Sequence, residues 1–189
     1  MGTLAIAPLG PAPSEILDGV ETSLGRAFAL ATQRLAPLSE PLPAYSPARG
    51  QWSSAELLKL LLASLPDGAF RLLGITERDL FVPVLSFVYG QAQLDGSVAV
   101  VSLARLRAEF HGLAPDPPAL ERRAAVEAVH ELGHTFGLVH CSVRSCPMSL
   151  SIDLVDLDRK TAEPCAACSA LLEGSLAMKR ARARQDGRR

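Results

Sequence analysis

Residues 130–140 read HELGHTFGLVH, from His130 to His140, and this spacing decides how the surrounding chain must fold. His130 and His134 are four residues apart, so on an α-helix they stand one turn above each other and reach a single metal ion. A helix that simply continued would carry His140 away from that ion. Gly137 resolves the conflict, because glycine accepts the left-handed conformation that ends a helix and turns the chain back, allowing His140 to supply a third ligand. Three neutral imidazoles suit zinc and leave a fourth tetrahedral position for water, as in a catalytic site and unlike a closed structural one. Glu131, about 100° round the helix from His130, is placed to accept a hydrogen bond from that water. A zinc-bound water with Glu131 as general base is a device for metal-assisted hydrolysis, above all of a peptide bond. With this chain's own residue frequencies, the five fixed positions coincide by accident with odds of roughly one in 10⁵. His111, alone after a predicted strand, reads as an ordinary surface or loop residue.

The helix that carries the motif is expected to start at Asp116 as cap and Pro117 as first residue, and to run to about Phe136. Ala125, Val129, Leu132 and Phe136 form its core stripe, leaving Glu127, His130, Glu131 and His134 on adjoining faces. Upstream, an apolar strand from Leu4 to Leu9 precedes a helical stretch from about Glu15 to Leu35. A second helix is predicted from Ser53 to Leu65, capped by Ser53 or Ser54, with Leu57, Leu58, Leu61, Leu62 and Leu65 buried. Three β-rich runs follow: AFRLLGI, VLSFVYGQAQL and SVAVVSLARL. Asp95-Gly96 favours a type I′ hairpin between the last two. The Pro-rich patch from Pro37 to Pro47 reads as a surface connection. This order implies an α/β (α+β) fold, a mixed sheet with helices packed on it.

Cys141 follows the third histidine at once; Cys146, Met148 and then Cys165 and Cys168 complete the pattern. Read as thiols alone, C-x4-C and C-x-x-C fit a structural Zn(Cys)4 site, two disulfides or a redox pair. No basic n-region precedes the first apolar stretch, so no secretion signal is expected, which weighs against disulfides. No thioredoxin-like strand-to-helix setting surrounds Cys165–Cys168, which weighs against redox chemistry. Met148 by itself reads as a flexible core filler.

Taken together, HELGHTFGLVHC, the four-residue spacer, C-P-M and the later CxxC resemble the signature of the archaemetzincins, zinc metallopeptidases of the metzincin clan. The segment GITERDLFVPVLSFVYGQAQLDGSVAVVSLARLR is also similar to that family's strand region, so the resemblance covers most of residues 70–168. One departure is a Met148–Cys165 gap about one residue shorter than the family pattern, read as a loop deletion. The resemblance implies that His130, His134 and His140 bind the catalytic zinc and that Glu131 is the general base. It implies that Met148 forms the methionine turn beneath the metal, and that Cys141, Cys146, Cys165 and Cys168 bind a second, structural zinc. It further implies a mixed five-stranded twisted sheet over the active-site helix. The chain would divide into a catalytic subdomain, 1–140, and a small zinc-stabilised lobe, 141–189. A sheet edge, placed at about Leu85 to Leu94, would receive substrate as an added strand.

Composition agrees with a globular enzyme and excludes other classes. The chain has 189 residues, 48% hydrophobic and 21% charged, which suits one compact domain of two lobes and argues against disorder. No apolar run reaches a membrane-spanning length, and no lipidation motif is present. The net charge of −1 is uneven, with the basic residues concentrated in 179–189 (KRARARQDGRR), a tail that reads as a solvated terminus. Expected partners are therefore a peptide or protein substrate and two zinc ions, with no membrane and no nucleic acid. A cytoplasmic monomer without a gating pro-segment is expected. The competing reading is a non-enzymatic zinc-containing peptide-binding module on the same fold.

Overall fold

The computed structural model describes residues 2–186 and, for Arg180 and residues 182–186, the backbone alone. Its strands are β1 (Thr3–Leu9), β2 (Thr32–Arg34), β3 (Tyr45–Ser46), β4 (Gln51–Ser53), β5 (Ala69–Thr76), β6 (Leu80–Phe81), β7 (Gly90–Ala92) and β8 (Val98–Ser102). Its α-helices are α1 (Ser14–Phe28), α2 (Ser54–Ala63), α3 (Pro117–Thr135), α4 (Leu154–Asp158) and α5 (Ala166–Asp186). The main sheet has five strands in the order β2-β1-β5-β8-β7, parallel except for β7, so the expected mixed α/β sheet is present. A small second sheet, β3-β4-β6, flanks it.

Alternation along the central strands explains why the sheet is covered on both faces. Leu4, Ile6, Leu73, Ile75, Ala99 and Val101 point into a core shared with α1 and α3. Ala5, Ala7, Leu72, Val98 and Val100 point into the opposite core, which α2 closes with Leu57, Leu58 and Leu61. Strands buried on both faces read in the sequence as continuous apolar runs, which is what β1, β5 and β8 show. The first of these cores continues beyond His140, taking in Cys146, Met148, Leu157, Cys168, Leu172 and Leu176.

Several local expectations are corrected. The first helix stops at Phe28, not Leu35, because Ala29 adopts the left-handed conformation. The chain then returns as β2, pairing Thr32 with Leu4, while Arg34 binds Asp18 and Glu21 of α1. Helix α2 ends at Ala63 and leaves Leu62 exposed, so its buried stripe is narrower than expected. Of VLSFVYGQAQL only Gly90–Ala92 forms a strand. The preceding carbonyls of Leu85 and Ser86 accept from Arg49, and Val84 is left in solvent. The β7–β8 hairpin forms, but of its two turn residues only Asp95 has positive φ, so the turn is not type I′. The Pro-rich connection contains a short 3-10 turn at Leu42–Ala44 and reaches the sheet through a bridge from Leu38 to Leu9. The basic tail is not frayed at its start: α5 continues to Asp186, and Lys179 pairs with Asp95 at 3.0 Å. The rest of the basic tail, the side chains of Arg180 and residues 182–186 together with residues 187–189, lies outside the described residues.

Candidate active site

Helix α3 begins as its sequence dictates. The Asp116 carboxylate accepts from the Ala119 N–H, and Pro117 occupies the first turn, where its missing N–H costs nothing. The helix ends at Thr135; Phe136 caps it and Gly137, at φ +89°, turns the chain. Three outside groups fix this end. The Asp95 N–H donates to the His134 carbonyl and Ser175 Oγ to the Phe136 carbonyl. The buried Arg71 guanidinium donates to the Thr135 carbonyl and hydroxyl while lying 4.5 Å over the Phe136 ring.

The turn brings the three histidines together. Ring centroids lie 4.5 Å apart for His130–His134, 5.3 Å for His130–His140 and 5.1 Å for His134–His140. His130 Nδ1 donates to the Pro147 carbonyl and His134 Nδ1 to the Leu138 carbonyl, each at 2.7 Å. Both bonds fix the tautomer that leaves Nε2 as a lone-pair donor, and the two Nε2 atoms face each other at 3.0 Å. Two zinc ligands at about 2.0 Å in tetrahedral geometry stand about 3.3 Å apart, so the donor set fits a zinc ion. Burial, with the His134 charge second, pushes the His130 imidazole down to about 3; burial also lowers His134. Neutral rings are the form that binds metal.

Glu131 is buried, and no described side chain hydrogen-bonds its carboxyl. Burial, reinforced by the charge of Glu127, holds that carboxyl well above the ordinary carboxylate range. Above it passes the edge strand β7. A Cβ on Gly90 would lie 2.7 Å from Glu131 Oε1, so only glycine lets the strand cross there. On the opposite side of α3, Gly133 faces Met148, whose side chain is fully buried. These histidines, Glu131 and residues 85–92 border a cleft of about 540 Å³, whose far wall is Leu150–Ile152. The edge expected at Leu85 to Leu94 is thus present at Gly90–Ala92, on the rim of this cleft.

The four cysteines also converge, their Sγ atoms all lying within 4.8 Å of one another. Cys141 and Cys165 Sγ are 3.8 Å apart, the edge of a tetrahedron with Zn–S of about 2.3 Å. Backbone N–H groups of Val143 and Cys165 point at Cys141 and Cys146 sulfurs, and the Cys168 N–H draws the Cys165 thiol down to about 7. All four are free thiols, so a disulfide pairing is not formed. His111 is exposed, meeting the Arg105 carbonyl and the Phe110 ring, as expected of a surface residue.

Sequence reasoning passed over three groups at this site. Gly90 carries no motif that would single it out. Lys160 is buried and donates to the Ser149 carbonyl and Ser151 hydroxyl, fastening the far wall of the cleft. Glu127 appeared only as a polar position on α3, although its spacing four residues before Glu131 put both carboxyls on one face.

A helix-borne histidine ring with an adjacent buried carboxyl, beneath the edge of a mixed sheet, defines a zinc metallopeptidase. Comparison with known proteins narrows this. The model of peptidase family M54 matches residues 67–174. An archaemetzincin of Methanocaldococcus jannaschii is 40% identical over 170 residues, covering 90% of this chain and 92% of its own. The crystal structure of archaemetzincin from Methanopyrus kandleri superposes with a TM-score of 0.83 at 38% identity, over 93% of this chain and 96% of that one. A zinc-dependent peptidase of Methanocorpusculum labreanum gives 0.81 at 29% identity, over 89% and 99%. The chain belongs to the archaemetzincins, peptidase family M54.

Proposed function

We propose that His130, His134 and His140 hold one catalytic zinc of this peptidase, with Glu131 as general base, and that Cys141, Cys146, Cys165 and Cys168 hold a second, structural zinc. The observation that carries the reading is the facing pair of Nε2 atoms at 3.0 Å, each ring locked through Nδ1, beside an unbonded buried carboxyl. Zinc would supply Lewis acidity, making water more acidic and polarising the scissile carbonyl. Glu131 takes the proton from the attacking water at its carboxylate and returns it to the leaving amine, a role worth about 10²–10⁴-fold in rate. Met148, packed against Gly133, supports the ring from below. The free edge of β7 offers N–H and C=O groups along which an extended peptide would lie as an added strand.

On this reading residues 1–140 supply the catalytic groups, and 141–189 the cysteine site and the far wall of the cleft. The enzyme acts as a monomer, since one chain furnishes the cleft and both donor sets. Four thiolate ligands suit a reducing compartment such as the cytoplasm. No helix among the described residues is long and apolar enough to cross a membrane. A peptide-binding module would have no use for a carboxylate at Glu131, adjacent in sequence to the first histidine of the ring, where a general base must stand to reach the attacking water.

Elemental analysis and peptide cleavage test the assignment. The parent should carry two zincs per chain and His134→Ala one, while Glu131→Ala should keep both zincs and lose cleavage. Equal peptide affinity with cleavage in neither parent nor Glu131→Ala would favour the binding module.

A further inference from the structure

We propose that Glu127 is the specificity-determining residue of a subsite beside the histidine ring, and that it selects a basic side chain, lysine or arginine, of the substrate. This rests on the zinc-peptidase reading above and deepens it. Glu127 lies one helical turn before Glu131, is only 4% exposed, and borders the cleft. No described residue hydrogen-bonds its carboxyl and none forms an ion pair with it. Lys160 attracts the Glu127 carboxyl from beyond ion-pair distance, its ammonium being bonded to the Ser149 carbonyl and the Ser151 hydroxyl. Buried carboxylates in native proteins are nearly always paired, so one left open toward a cleft is a binding group awaiting its partner.

The surroundings match a long cationic side chain. Leu85, Phe87, Leu150 and Ile152 wall the cleft and would cover an aliphatic stem, leaving the charged head to reach the acid. Tyr89 also borders this space, and burial, with Glu127 second, pushes its phenol up to about 12, so it remains a neutral hydroxyl there. Burial raises Glu127 itself to about 7. A bound ammonium or guanidinium would draw it back to the charged form, making recognition charge-assisted.

The test uses the zinc-loaded full chain and capped hydroxamates, whose metal-binding group separates the ring from the subsite. Two series place the scanned residue on either side of the hydroxamate, as acetyl-aminoacyl hydroxamates or as succinyl hydroxamates of aminoacyl amides. Dissociation constants are read by calorimetry. In one series lysine and arginine should bind about tenfold tighter than norleucine. Glu127→Gln should erase that gap, and Glu127→Leu should reverse it, with acetohydroxamate still binding both variants and zinc content as in the parent. Absence of discrimination in both series while acetohydroxamate still binds overturns the subsite and leaves the zinc site standing. So does a preference that survives Glu127→Gln, or one that follows an uncapped α-amine in place of the side chain. Failure of acetohydroxamate to bind overturns the zinc reading and the subsite with it.

Discussion

Replacing Gly90 by alanine adds one methyl group at the most crowded crossing in the molecule. The new Cβ would sit 2.6 Å from Glu131 Cγ, 2.7 Å from Glu131 Oε1 and 2.7 Å from the Val100 carbonyl oxygen. The last is backbone of β8, whose Val100 is the register partner of Gln91, so relief by moving it breaks the hairpin ladder. Relief by moving Glu131 pushes the proposed base out of its buried position beside the histidine ring. Overpacking of this kind costs about 1–3 kcal/mol, offset by about 0.5–1 kcal/mol for removing a glycine from a strand. The expected net loss of about 1–2 kcal/mol lowers Tm by about 2–8 °C in a chain of this size. Displacing the proposed base by on the order of 1 Å should lower peptide cleavage about 10²-fold. Gly174→Ala in α5 is the control: nothing lies within 4 Å of its added Cβ. There the helix gains about 0.5–1 kcal/mol, Tm rises by about 1–4 °C, and cleavage is unchanged. Thermal unfolding and cleavage of both variants decide the matter. Gly90→Ala with parental Tm and activity, or both alanines shifting Tm in the same direction, would refute the crossing argument.

Arg71→Met should cost about 2–3 kcal/mol, because it strips the buried Thr135 carbonyl of a charged donor at the end of α3; an unaltered urea midpoint would contradict this. Glu127 has a folded-state value of about 7 against an ordinary 4.5, so its contribution is fully present below about pH 4.5 and is lost as pH rises through about 7. Relative to the parent, Glu127→Gln should therefore gain up to about 3 kcal/mol between pH 4.5 and 8, and parallel stability–pH curves for the two proteins would rule that out. Cys165→Ser should remove the second zinc, lower Tm and weaken retention of the first against a chelator. Unchanged metal content and melting in that variant would defeat the proposed coupling.

Legibility in the sequence followed the range of the interactions involved. Helix α3 was readable to within one residue because its signals are local: Asp116 as cap, Pro117 behind it, Gly137 beyond the end. The central strands were readable because burial on both faces leaves an apolar run. The end of α1 was not, since Leu35 happens to keep the helical period while its N–H is bonded to the Ile6 carbonyl in the sheet. Strands β3, β4 and β6 are two or three residues long, too short to show alternation. The histidine ring could be read because helical spacing and the turn at Gly137 dictate its convergence, whereas the cysteine spacing left alternatives that only the family resemblance narrowed. Lys160 and Glu127 could not be paired with a role, because what matters is which loop their side chains meet, and that is settled only by packing.

The proposed structural zinc acts on the catalytic ring by two separate routes, and they are unequal for the three histidines. Cys141 is the covalent neighbour of His140, so the sulfur site restrains that ligand directly. The Cys141 N–H also donates to the Met148 carbonyl at 2.9 Å, closing the loop that presents the Pro147 carbonyl to His130 Nδ1. His134 stands outside this loop: its Nδ1 bond goes to Leu138, within the turn held by Gly137 and the groups that anchor the end of α3. Apolar burial holds this segment only in part: Met148 and Leu157 are buried, but Val143, Leu150, Ile152 and Val155 lie in solvent. Loss of the sulfur site therefore frees His130 and His140 while His134 keeps its orientation. The ring would lose affinity for zinc through two of its three donors, without any change in the helix that carries the motif.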